Sequence, residues 1–168
     1  MLELLALAIF AGLLVYAACT DVVSLTIHNW VSIALAVLFL PVASLTHMPL
    51  AEIGVHYLFG LGLLAVGFFL FQAGVIGGGD AKLLAAATIW PGFTAFVPFI
   101  FWTTMSGGFI ALGLLMARQQ FAPAPVQPAF VNRLLTPKSG VPYGVAIMLG
   151  GLMALPSLPF AEHALTLP

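Results

Sequence analysis

The chain carries two aspartates, Asp21 and Asp80, and each stands at the end of an apolar run. A carboxylate beside hydrocarbon is expensive to keep, so it is a functional candidate whose partner should be named. Each is the other's candidate partner. Two carboxyls brought close cannot both ionise cheaply, so they share a proton and one stays neutral near neutral pH. The charged member can take a proton from water while the neutral one donates to a carbonyl oxygen. Such a pair cleaves an amide with neither metal nor covalent intermediate. It titrates as a unit, so neither residue can be labelled acid or base.

Asp80 closes the run Gly77-Gly78-Gly79-Asp80, which continues into Ala81 and Lys82. Backbone without side chains tolerates unusual dihedrals and close approach by another chain. A substrate peptide must lie extended to be cut, and a glycine-rich edge can pair with it. A helix starting at Asp80 would put its free N–H groups beside the two carboxyls, with Lys82 inside its first turn. The three glycines read equally well as small-residue helix packing, which is common in membranes. Their place directly before the aspartate favours the site.

The elements that must position these residues follow from composition. Of 168 residues, 62% are hydrophobic and 5% charged, where soluble domains carry roughly 25% charged residues. Nine charges cannot clothe a water-soluble surface, so the class is an all-α polytopic membrane protein of one domain, embedded in a lipid bilayer. A net charge of -1 leaves no basic footprint for nucleic acid. The single cysteine, Cys19, excludes an internal disulfide and a paired-cysteine metal site. The charges cut the chain into apolar runs at 4–20, 22–51, 53–79, 83–117 and 139–161. A spanning helix needs about 20 apolar residues. The expected bundle has six spans, near 3–20, 30–46, 53–73, 80–92, 94–117 and 141–157, with Pro91-Gly92 turning the fourth into the fifth. A cleaved signal peptide is the rival reading of residues 1–20, but Glu3 stands where a basic residue should.

Six spans put Lys82, Arg118, Arg133 and Lys138 on one side and Glu3, Glu52 and Glu162 on the other. The basic side is expected to be cytoplasmic, with both termini outside and both aspartates at cytoplasmic ends. His47-Met48-Pro49 should turn the second span into the third. The stretch 118–140, with Pro123, Pro125, Pro128 and Pro137, is expected to be a cytoplasmic loop whose prolines disfavour a regular helix.

These residues carry a resemblance. Gly77-Gly78-Gly79-Asp80 matches the GxGD signature of membrane aspartic proteases. The chain resembles the type IV prepilin peptidase family, in the short single-domain TadV/CpaA-like form of Flp (tight adherence, Tad) pilus systems. The family's first aspartate ends the first span, in a pattern like Asp-x(5)-Ile-Pro-Asn. Here that stretch runs from Asp21 through Ile27 and His28 to Asn29, with His28 in place of the proline. A late Pro142-Tyr143-Gly144 also matches. The basic residues usual after the first aspartate are missing, which bears on substrate preference more than on the pair. The resemblance implies removal of a short basic leader from a prepilin at the cytoplasmic face of the bacterial inner membrane. It also implies association with other pilus assembly proteins. The family's long form adds a methyltransferase region with paired cysteines, and cleavage without methylation is expected here.

The remaining candidates are weaker. Tyr143 could hydrogen-bond the pair, line a substrate groove or sit in the interfacial aromatic belt. Asn29 is expected to cap the second span, and His28 could titrate near neutrality. His47, His56 and His163 offer no ligand spacing, so no metal or other cofactor is expected. The Phe-rich stretch 93–109 reads as lipid-facing packing. Two other functions remain open: a non-enzymatic membrane subunit of a pilus or secretion machine, and a small ion-coupled transporter. The transporter would call for midplane carboxylates and an internal repeat.

Overall fold

The computed structural model describes residues 1–137, 139–159 and 161. Lys138, Glu162 and His163, used above to assign sides or exclude a metal, lie outside the described residues. Among the described residues the regular structure is helical. It comprises α1 (Leu2–Ser24), α2 (Asn29–Leu45), α3 (Leu50–Gln72), α4 (Gly78–Thr88), α5 (Phe96–Gln120), α6 (Ala129–Leu135) and α7 (Tyr143–Ala154), with a 3-10 turn at Leu155–Ser157. Each of the six expected segments has its helix. By length and composition, α1, α3 and α5 can cross a membrane, whereas α2 and α7 are apolar but shorter. The 11 residues of α4 span only about half of a hydrocarbon core, at roughly 1.5 Å per residue against about 30 Å.

Helix α4 is alanine-rich because it is enclosed by protein. It packs against α3, α2 and α7, and Ala81, Leu83, Ala85, Ala86, Ala87 and Thr88 are buried. Glycines on α3 allow the close approach. A Cβ at Gly67 would fall 3.0 Å from the Ala81 Cβ, and one at Gly60 would fall 3.2 Å from the Ala85 carbonyl oxygen. This is small-residue packing of the kind membranes favour.

The far end of α4 is pinned, which fixes the depth of its near end. Trp90 is fully buried, and its Nε1–H donates to the Leu35 carbonyl at 3.0 Å. Its ring lies 5.1 Å from that of Phe10 and 5.8 Å from that of Phe39. His56 stacks on Phe39, and its Nδ1–H donates to the Ile89 carbonyl at 2.6 Å. The expected turn at Pro91-Gly92 is present, with Gly92 at φ 58°. That residue must be glycine twice over, since a Cβ would also run into the His56 ring. Phe10 and Leu14 of α1 sit fully buried in the same core, so the first segment is part of the bundle.

The stretch 118–140 is more organised than its prolines suggest. Pro128 stands at the N-cap of α6, where its missing N–H costs nothing, so a helix can follow it. The Asn132 amide pairs with the Ala124 backbone in both directions, at 3.0 and 2.9 Å. Arg118 donates to the carbonyls of Leu134, Ser139 and Gly140. The expectation of no regular helix therefore fails for residues 129–135. In the Phe-rich stretch, Phe93, Phe101 and Phe109 face outward, while Phe99 is buried in the core.

Candidate active site

Asp80 is placed by local structure. Gly77 is the N-cap of α4, with extended backbone at φ -69°, ψ 144°. Asp80 is then the third helical residue, and its carboxylate reaches back to the Gly77 N–H. An acidic side chain at this position satisfies an orphan donor, as in a capping box, and suits the positive end of the helix dipole. Each glycine of the run has a different neighbour. A Cβ at Gly77 would fall 2.6 Å from the Asp80 Oδ2, and one at Gly78 would fall 3.3 Å from the Phe71 ring. A Cβ at Gly79 would fall 3.3 Å from the Ile27 Cβ. The run leaves α3 through Gly74, at φ 71°. Its N–H and that of Val75 return to the carbonyls of Phe71 and Leu70, a Schellman closure that favours glycine.

Asp21 is placed by tertiary structure. It lies in the last turn of α1, the end at which the dipole disfavours a carboxylate. The remedy comes from α7, whose second residue, Gly144, donates its N–H to the Asp21 Oδ2 at 2.7 Å. Asp21 is 3% exposed, so this bond matters more than a surface one. A Cβ at Gly144 would fall 2.9 Å from that oxygen and 3.0 Å from the Asp21 Cβ. Helix α1 ends at Leu25, which takes a left-handed φ of 52°. This turns the chain so that residues 25–27 form a wall beside the carboxyl.

The two carboxyls line one cavity of about 780 Å³ at the end of the bundle. They come from opposite chain directions, the end of α1 and the start of α4. The two carboxyls are near enough for the charge of Asp21 to bear on Asp80. The α3–α4 loop, the α1–α2 turn and residues 140, 141 and 143 form the walls. The lining includes two acidic side chains and no basic one among the described residues. Among those residues no three or more His, Cys, Asp or Glu side chains cluster as metal ligands would.

The other candidates separate. Gly77, Gly78, Gly79 and Tyr143 line the cavity with the two aspartates. Tyr143 is half-exposed there, with its ring against Gly107 of α5. Lys82 does not line it. Its Nζ donates to the Asn29 Oδ1 at 3.1 Å, on the far side of the α2 start. Asn29 is not a cap: His28 holds the N-cap position, without a side-chain bond. Gly144 is the residue that sequence reasoning passed over in favour of its neighbour Tyr143. Its signal was present in Pro142-Tyr143-Gly144, since a glycine just inside a helix start suggests close approach from outside.

A family model described as the type IV leader peptidase family matches residues 8–112. The match takes in Asp21 and the glycine run through Asp80, and stops short of Gly144. No curated protein and no solved structure matches the chain.

Proposed function

The chain belongs to the type IV leader peptidase family, and from that premise we propose that it is a membrane aspartic endopeptidase acting on Flp-type prepilins through Asp21 and Asp80. The observation that carries the reading is that these two carboxyls, from separate helices, line a single cavity. In the proposed step, water adds to the scissile carbonyl carbon. The ionised carboxyl takes its proton, and the neutral one protonates the carbonyl oxygen. The carboxylate left by that transfer then takes a proton from a hydroxyl of the tetrahedral adduct, whose collapse breaks the C–N bond, while the other carboxyl gives its proton to the leaving amine, restoring the pair. The Gly144 N–H holds one carboxyl and the Gly77 N–H the other, so neither has to reorganise during reaction.

The substrate has a short basic leader before a hydrophobic helix. A cavity lined by two acidic side chains and, among the described residues, no basic one attracts such a leader, and the glycines that line it leave room for the backbone around the scissile bond. The proposal is limited to cleavage, without methyl transfer.

The proposed setting is a bacterial inner membrane, with six spans and the cavity facing the cytoplasm. The described cations support that side. Lys82 follows Asp80 on α4, Arg133 donates to the Val23 carbonyl at the end of α1, and Arg118 holds Gly140 of the cavity wall. Cytoplasmic faces carry such an excess of basic residues.

Co-expression with candidate prepilins, read as a shift to the mature size, tests the assignment. The shift should appear with the native chain and vanish with Asp80→Asn. Maturation at near native rate in Asp80→Asn would leave the non-enzymatic pilus subunit as the better account.

A further inference from the structure

Beside the cavity lies a second hollow, a groove of about 470 Å³ between α2, α3 and α4. Each helix contributes positions i, i+3, i+4 and i+7, starting from Asn29, Tyr57 and Lys82. That spacing gives one continuous face per helix. The groove is apolar along its length and polar at one end. Tyr57, at the other end, is already satisfied by the Ala36 carbonyl at 2.6 Å. At the polar end stand Lys82, Asn29 and Ser32. Lys82 spends one donor on Asn29, and an ammonium has three. Ser32 is 8% exposed, and its hydroxyl has no hydrogen-bond partner. A buried orphan hydroxyl is costly; Ser32 lines the groove, and a change of its χ1 rotamer would bring the hydroxyl to a ligand there. No acidic side chain lines it among the described residues.

We propose that this groove binds one anionic phospholipid, with its phosphate on Lys82 and Ser32 and an acyl chain along the apolar part. The charge at one end calls for an anion, and the length of apolar wall calls for hydrocarbon attached to it. A hydrophobic peptide helix brings an anion to Lys82 only where it carries an acidic residue, whereas an anionic phospholipid brings its charge and its hydrocarbon together. The polar end lies at the Asp80 end of α4, the face proposed as cytoplasmic, where anionic lipids attract basic residues. Asn29 borders both the groove and the cavity. An occupied groove therefore braces the start of α2, which is also a wall of the cavity.

The test is native mass spectrometry of the full chain in mild detergent, with phosphatidylglycerol or phosphatidylcholine of identical acyl chains. The native chain should retain one phosphatidylglycerol in preference to phosphatidylcholine. Lys82 is exposed, so Lys82→Gln should fold normally and lose that preference about tenfold, the size of a charged hydrogen bond. Ser32→Ala should weaken retention about threefold, as loss of a neutral hydrogen bond would, whereas a purely structural serine would leave it unchanged. Ala36→Phe keeps the charge, fills the groove and should lose both lipids. An unchanged headgroup preference in Lys82→Gln would overturn the proposal. So would release of the lipid by millimolar inorganic phosphate, which would mark a free-anion site. Displacement by a hydrophobic helical peptide bearing one acidic residue would assign the groove to a protein helix instead.

Discussion

Asp21 and Asp80 face one cavity but are held by opposite means. Asp80 stands at the favourable end of its helix and is bonded within its own turn, to Gly77. Asp21 stands at the unfavourable end of α1 and is bonded to a residue 123 positions away. The first arrangement forms as soon as α4 forms. The second exists only when α7 is docked against α1, a packing built on contacts such as that of Gly151 with Leu14. The pair is therefore completed by α7, although both of its carboxyls lie in the first half of the chain.

The largest effect should erase this difference. Asp21→Asn and Asp80→Asn should each abolish cleavage, by several orders of magnitude, since acid–base terms contribute roughly 10²–10⁴-fold each. An amide nearly keeps the shape, so both variants should remain folded in the membrane. Because the two act as a unit, the double variant should be no worse than either single one. A double variant much slower than both singles would mean that the carboxyls work separately.

The next effects should bring the difference out. Gly144→Ala presses on both the tip and the root of Asp21, at 2.9 and 3.0 Å, so rotating the side chain cannot relieve it. Its kcat should fall about 10²-fold, the cost of a displacement near 1 Å, and its thermal unfolding in detergent should come earlier. Gly77→Ala presses only on the Asp80 Oδ2, at 2.6 Å, and the carboxyl can turn away. Roughly tenfold lower kcat with unchanged unfolding is expected, as for a smaller misplacement. Equal losses in the two variants would break the contrast between tertiary and local holding.

The pH profile should follow the pair and not its members. Cleavage should fall in acid, where both carboxyls are protonated and no base remains. It should fall again in alkali, where both are ionised and no acid remains, giving a bell. A profile with only one limb in the native chain would point to a single working carboxyl. The smallest effect belongs to Gly78→Ala, whose Cβ would meet only the edge of the Phe71 ring at 3.3 Å. Cleavage rates within about twofold of the native chain are expected, the scale of a surface change below ~0.5 kcal/mol.

The sequence by itself settled the helices, because apolar runs bounded by charges and glycine or proline turns are local signals. Helix α6 escaped it: prolines were read as breakers, although Pro128 stands where a helix can begin. It also singled out Asp80 with its glycines, since cap, carboxylate and close backbone are contiguous in the chain. Asp21 could be named as the partner from residue type and segment end alone. The glycine of Pro142-Tyr143-Gly144 signalled a close approach, but its partner could not be read, because the Gly144 N–H is a backbone group, identical in every residue but proline. Only the docking of α7 selects which N–H meets the carboxylate. The same holds for Lys82, which one turn of helix would suggest for the cavity and which packing sends to Asn29. Local order follows from neighbours in sequence. The completed pair follows from burial, which brings a helix start against a helix end and leaves the carboxylate one donor to accept.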